Sequence, residues 1–239
     1  MPIAVHGSTP ATVSAASSTL TTTSFTPPAG SLLVACIGWE RSSDAAAATT
    51  LSNTGTALTW TERVVRNKDD AGGNFGWAGI STALVGASQS ITVTALSAKT
   101  GDAGGLKVFV VTGIDPVTPT GAVGEGSSTG SADKDLTVTA YTSTQPGSRA
   151  FGIAADFLQR GTPTSSDTGF GWDIAGRMSG IAVHKAADSG LAGSSVSLNF
   201  NAAAADPTWN WAALEVLPET PLAPRPYVLG QAVQRAATW

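Results

Sequence analysis

A chain of 239 residues with 42% apolar and only 13% charged side chains can fill a sizeable core and does not have a disordered composition. Its formal net charge of −4 lacks the basic footprint that nucleic acid requires, and no stretch reaches the roughly 18 uninterrupted apolar residues of a membrane span. Cys36 is the single cysteine, so an intrachain disulfide and a Cys-rich metal site are excluded. No basic-then-apolar leader is visible, and the chain reads as a soluble protein made in the cytoplasm.

Taken in chain order, residues 3–5 are predicted as a short edge strand. Residues 17–25 (SSTLTTTSF) favour strand through threonines that are stiff at χ1. Residues 32–39 are apolar on both faces, which places them centrally in a sheet. Residues 58–66 (LTWTERVVR) alternate, with Leu58, Trp60 and Val64 inward and Thr59, Thr61 and Arg63 toward water. Strands over 75–84, 90–96 and 106–114 follow; in SITVTAL, Ile91, Val93 and Ala95 oppose Thr92 and Thr94. The second half repeats the style over 135–141, 149–157, 179–185, 194–201 and 208–217. Residues 121–133 and 161–171, rich in Gly, Ser, Ala and Thr, read as long surface loops. Only 45–50 and 229–237 have the pattern for a helical turn.

About a dozen short strands with turn signals between them predict an all-β protein, a β-sandwich of jelly-roll type. Two facing Greek-key sheets would bury Ile37, Val110, Ile153, Leu198 and Leu214. With no internal repeat visible in the sequence, residues 1–217 read as one domain.

The last 22 residues, PETPLAPRPYVLGQAVQRAATW, change character. Pro218, Pro221, Pro224 and Pro226 each fix φ and remove a backbone donor, which favours an extended arm over 218–239. Tyr227, Val228, Leu229, Val233 and Trp239 then form an apolar set that requires a covering surface. The expected partner-binding residues are therefore Pro224, Pro226, Tyr227, Val228, Leu229, Val233 and Trp239, packed on a neighbouring subunit.

An ordered set of motifs carries a resemblance. TPPAGSLLVACIGW, the spacing from Trp60 to Arg63, GGNFGWAGI, VFVVTGID and TWNWAALEVLP resemble a family of tailed-phage virion proteins, usually called minor tail proteins, of actinobacterial phages. The proline-spaced ending PRPYVLGQAV is similar to the way such chains finish. The resemblance implies a β-sandwich structural protein of the particle, with other virion proteins as partners; since closed cyclic oligomers predominate, a homo-oligomer, a trimer, is expected. Related β-sandwiches also occur as capsid decoration proteins on the head. A third reading is a carbohydrate-binding module for host cell-wall glycan, with Trp172 in FGWDIAG as its exposed aromatic.

Chemistry-bearing motifs are weak. The run 126–130 (GSSTG) matches a nucleophile elbow, and Asp156 and His184 follow in hydrolase order, but the flanks lack the strand and helix that strain such a turn. His6 and His184 are isolated and have no zinc-ligand spacing. The run 69–74 (DDAGGN) offers oxygens to calcium but reads better as a turn. Cys36 reads as a small buried hydrophobe, and Trp39, Trp60, Trp77 and Trp211 as core. No enzyme activity, cofactor or metal is expected.

Overall fold

The computed structural model describes residues 1–41, 49–69, 75–129, 135–159, 161–204 and 208–219. Within them the chain is all-β, as the alternating and doubly apolar runs predict. In chain order the first seven strands are β1 (Ala4–Val5), β2 (Val13–Ala15), β3 (Thr19–Thr21), β4 (Leu32–Arg41), β5 (Thr49–Asn53), β6 (Thr61–Asp69) and β7 (Phe75–Leu84). They are followed by β8 (Val93–Ser97), β9 (Ala103–Thr112), β10 (Thr120–Thr129), β11 (Asp135–Thr142) and β12 (Arg149–Asp156). Last come β13 (Thr168–Ile174), β14 (Met178–His184), β15 (Ser195–Asn201) and β16 (Thr208–Val216).

The strands form four stacked sheets, not one facing pair. The outermost sheet is β3-β8-β5, packed on a large sheet β1-β9-β4-β7-β6 with β2 also paired to β9. The other face of that sheet packs on a second large sheet, β10-β16-β12-β14-β13, which β11-β15 covers in turn. Three apolar cores fill the spaces between layers. Strands apolar on both faces, such as β4 and β12, are apolar because both faces are covered. Ile37, Val110, Ile153, Leu198 and Leu214 are all buried, but they are shared among the three cores.

The two halves have one topology. Strands β1, β3, β4, β6, β7, β8 and β9 correspond in order and in sheet position to β10, β11, β12, β13, β14, β15 and β16. The correspondence holds residue by residue where the registers allow it. Val34 and Cys36 face the central core from β4, as Phe151 and Ile153 do from β12. Gly30 and Gly147 start the equivalent strands with φ of 77° and 75°. In each half the next residue's amide closes the same turn, Ser31 N to Pro28 O and Ser148 N to Gln145 O. The same face of each large sheet is buried against the other, so the sandwiches meet in an isologous manner, like a dimer within one chain. Equivalent positions touch: a Cβ built on Gly38 would lie 2.9 Å from that of Ala155.

Two expected loops contain strand: 121–133 as far as Thr129, and 161–171 from Thr168 onward. Residues 120–129 pair with β16 as β10, and residues 168–174 pair with β14 as β13. Glycine in β10 answers a packing demand, since a Cβ on Gly124 would fall on the carbonyl oxygen of Ala140 and one on Gly126 would strike the Trp211 indole. β2 and β5 are also additions to the expected set. Residues 45–48 and 229–237, expected to carry helical turns, lie outside the described residues, whereas Thr49 and Thr50 begin β5.

Replacing Gly124 by Ala is expected to cost about 2–3 kcal/mol, because backbone and not a flexible side chain must yield. The urea midpoint reads this; an unchanged midpoint would mean that β10 and β11 are not held at this approach.

Candidate functional site

The C-terminal end of β16 brings several separate segments together. Leu217 N donates to Pro119 O and Asp115 N to Leu217 O, while Ile114 and Pro218 form an antiparallel bridge. Glu219 N then donates to Gly113 O at 3.1 Å, and Gln145 Nε2 to Pro218 O at 3.4 Å. Pro218 and Glu219 thus belong to the body, and the segment that follows starts from a fixed point. Two grooves flank that point. One, of about 390 Å³, is lined by Pro28, Gly30, Gly113 and Glu219; the other, of about 480 Å³, by Gln145, Gly147, Asp188 and Glu219. Each groove holds one of the two equivalent glycine turns. The arm residues Pro224, Pro226, Tyr227, Val228, Leu229, Val233 and Trp239 lie outside the described residues.

Beneath this end sits a buried carboxylate that sequence reasoning missed. Glu215 on β16 is fully buried and accepts five hydrogen bonds. Oε1 takes Ser148 Oγ at 2.6 Å, Thr144 N at 2.9 Å and Ser143 Oγ at 3.0 Å. Oε2 takes Thr144 Oγ1 at 2.7 Å and Ala122 N at 2.8 Å. Burial pushes the carboxyl up, but the bonds from Ser148, Thr144 and Ala122 outweigh it and hold it below its usual value. All its lone pairs are engaged, so it acts as a lock that fastens β10 and the β11–β12 turn to β16. The sequence signal was a lone acid inside the apolar run WAALEVL; the equivalent residue in the first sandwich is Val110.

A buried lysine marks the seam between the sandwiches. Lys107 Nζ donates to Pro10 O at 2.7 Å and lies 4.1 Å from the centroid of Phe170. Among the described residues it has no carboxylate partner, and burial lowers its pKa to about 8. His184 sits beside it, edge-on to Phe109 at 5.4 Å, its Nδ1 donating to Lys185 O at 2.9 Å. Burial holds the His184 imidazole below its ordinary pKa, which favours the neutral ring. His184 thus packs within the central core, while His6 bonds Ser8 at the surface.

Trp172 requires a correction. It is 4% exposed, not a surface aromatic, and its ring lies in a trough made by Gly38, Gly105 and Gly180 in the central core. The loop reading failed because residues 168–174 pair with β14 and carry the ring into the central core, and no sugar can stack on a buried face. Trp39, Trp77 and Trp209 are buried, whereas Trp60 and Trp211 are half-buried against the outer cores.

The hydrolase-like constellation does not assemble. Residues 126–129 run within β10, and Ser128 and Asp156 both oppose Trp209 from opposite sides of β16. His184 opposes Phe151, five residues along β12 from Asp156, which is about 16 Å of strand. Cys36 is fully buried and its thiol pKa is pushed up by desolvation, with Lys107 opposing the shift. Among the described residues no three His, Cys, Asp or Glu side chains converge as metal ligands, and no helix is long and apolar enough to cross a membrane. In the run 69–74, residues 70–74 lie outside the described residues.

Removal of the Glu215 carboxylate in Glu215→Ala strands five donors and is expected to cost about 3 kcal/mol or more. The sign of its pH dependence follows from the lowered pKa. Its contribution is complete above the unfolded value of 4.5 and drains away as pH falls through the folded value. Glu215→Gln should flatten this acid limb in a pH series of unfolding midpoints; an unchanged limb would refute the lock.

Lys107 works in the opposite direction. Its folded pKa of about 8 lies below 10.5, so the unfolded chain binds more protons in that window and stability rises with pH. The rise should run from about pH 8 to the ordinary thiol pKa of 9.0, above which Cys36 and then Tyr141, both pushed up by burial, oppose it. Lys107→Met should remove the rise and raise stability at neutral pH. A variant that keeps the rise would assign it to other groups.

Comparison with family models, with curated proteins and with solved structures finds no match to this chain.

Proposed function

We propose that this chain is a structural protein of a tailed-phage particle, a minor tail protein that assembles through its β body and its C-terminal segment. One observation carries the reading. A body with both large sheet faces covered ends in a fixed Pro218–Glu219 anchor, and 20 residues with three prolines and an apolar set follow it. Prolines lower the entropy lost when such a segment is ordered on a partner, which suits an assembly arm. Tyr227, Val228, Leu229, Val233 and Trp239 supply the apolar contacts with neighbouring virion proteins. A homo-oligomer around a closed axis, a trimer in this reading, is the simplest geometry for arm exchange.

The test uses phage encoding the chain truncated after Glu219, which leaves the anchor intact. Particles should lack the truncated protein, while the purified protein keeps the circular dichroism of the parent and still unfolds cooperatively. Normal incorporation would refute the arm. Immunogold labelling of intact particles then fixes the place: label at the tail supports a tail protein, label over the head makes it a decoration protein, and no label removes the virion reading.

A further inference from the structure

The outer edge of β15 is covered over only part of its length. At its C-terminal end Asn201 exchanges both backbone bonds with Thr164 at 2.9 Å. Asn199 N donates to the Asp167 carboxylate at 3.0 Å, and Ser165 Oγ donates to Asn199 O at 2.6 Å. These bonds mark the odd-numbered residues of β15 as those whose backbone faces away from β11, so Ser195 and Ser197 face the same way. Among the described residues nothing bonds the outward N–H and C=O groups of Ser195 and Ser197.

The first sandwich fills the equivalent place. Its counterpart of Ser197 is Thr92, whose carbonyl accepts Thr54 N at 3.1 Å and whose amide donates to Thr54 Oγ1 at 2.8 Å. In the second sandwich the corresponding connection, which leads into β13, bonds β15 among the described residues only at Asn199 and Asn201. A groove of about 390 Å³ remains along the open edge, lined by Lys185, Asp188, Ser189, Ser195 and Ser197. Asp188 also lines the groove that begins at Pro218 and Glu219. The two grooves thus both border Asp188, one beside the point where the described chain ends and the other along the open edge.

We propose that the edge of β15 at Ser195 and Ser197 is the seat of the C-terminal segment, with residues 227–229 (Tyr-Val-Leu) adding as a short strand. Prolines 221, 224 and 226 cannot donate to a ladder, and 227–229 is the first run of three residues beyond Glu219 that can. The eight residues from Glu219 to Tyr227 reach about 25 Å in an extended, proline-rich conformation. Strand addition satisfies the open backbone groups, and the side chains of alternate residues enter the groove. Because the segment is tethered beside the seat, an isolated chain fills the seat with its own segment. In an assembly the same seat takes the segment of a neighbouring copy. The inference rests on residues 220–239 being a docking segment, and it specifies the surface they dock on.

Hydrogen exchange read by NMR tests this on the purified full chain and on the chain truncated after Glu219. The amides of Ser195 and Ser197 should exchange at least about tenfold more slowly in the full chain, and a synthetic peptide of residues 220–239 added to the truncated protein should restore the protection. Ser197→Pro in the full chain removes the outward donor without touching a bond to β11, and should bring Ser195 to the truncated rate. Equal rates in full and truncated chains would overturn the seat. Truncation that blocks incorporation into particles yet leaves these rates unchanged would overturn the seat alone and leave the assembly role standing.

Discussion

The structure depends on the burial of one large sheet face against the other. From one side β4, β7 and β9 contribute Val34, Cys36, Ile80 and Phe109; from the other β12 and β16 contribute Phe151, Ile153 and Leu214. Close approach of two sheets requires small residues where the largest rings lie, and glycine supplies them. Trp172 crosses this interface over Gly38, Gly105 and Gly180, and any side chain at those positions would strike its ring. Trp39 over Gly104 and Trp211 over Gly126 repeat the device on the outer layers. Tryptophan and glycine are thus two halves of one packing rule, and both are held in place by the density a core demands.

The two sandwiches share one frame and differ where polar groups enter. Val110 has Glu215 as its counterpart, with Ser143, Thr144 and Ser148 placed around it, while Lys107 has Ala212 as its counterpart. The carboxylate is stabilised by its donors, whereas the lysine stands on a carbonyl and an aromatic face, a poorer replacement for water. One insertion ties the end of β16 to its neighbours; the other sits at the seam as a cost the surrounding core must offset. Both lie on the strands that close the two large sheets.

Much of the architecture was legible in the alternation of apolar residues. Residues 75–84 begin and end as read, and strands such as β4, β11, β12, β14 and β15 fall within two residues of their expected ends. The failures share a physical origin. Glycine-rich 121–129 and 168–171 carry the composition of loops, but Gly124 and Gly126 lie under a carbonyl and a ring of neighbouring strands, and Gly169 and Gly171 under Ile181 and the Pro163 carbonyl. Composition cannot distinguish a residue that must bend from one that must make room. Trp172 was misplaced for the same reason. Glu215 was hidden because its five donors come from segments more than 60 residues away in sequence. The layering was unreadable for want of sequence identity between halves: the equivalence of Gly30-Ser31 with Gly147-Ser148 emerges only once the turns are seen side by side.

The order of strands along the chain has a consequence for how the protein is made. Every strand of the first sandwich has left the ribosome once Thr112 has emerged, and β1 can then pair with β9 to complete its large sheet. The apolar face that this sheet presents is destined for β12, β14 and β16, which are still to be synthesised. Until Val216 appears, the nascent chain carries a finished half with one wet, sticky face, open to another nascent copy as readily as to its own continuation. Synthesis of the second half is therefore the step at which intramolecular closure competes with entanglement between chains. Slow translation through residues 120–216 would lengthen that exposure.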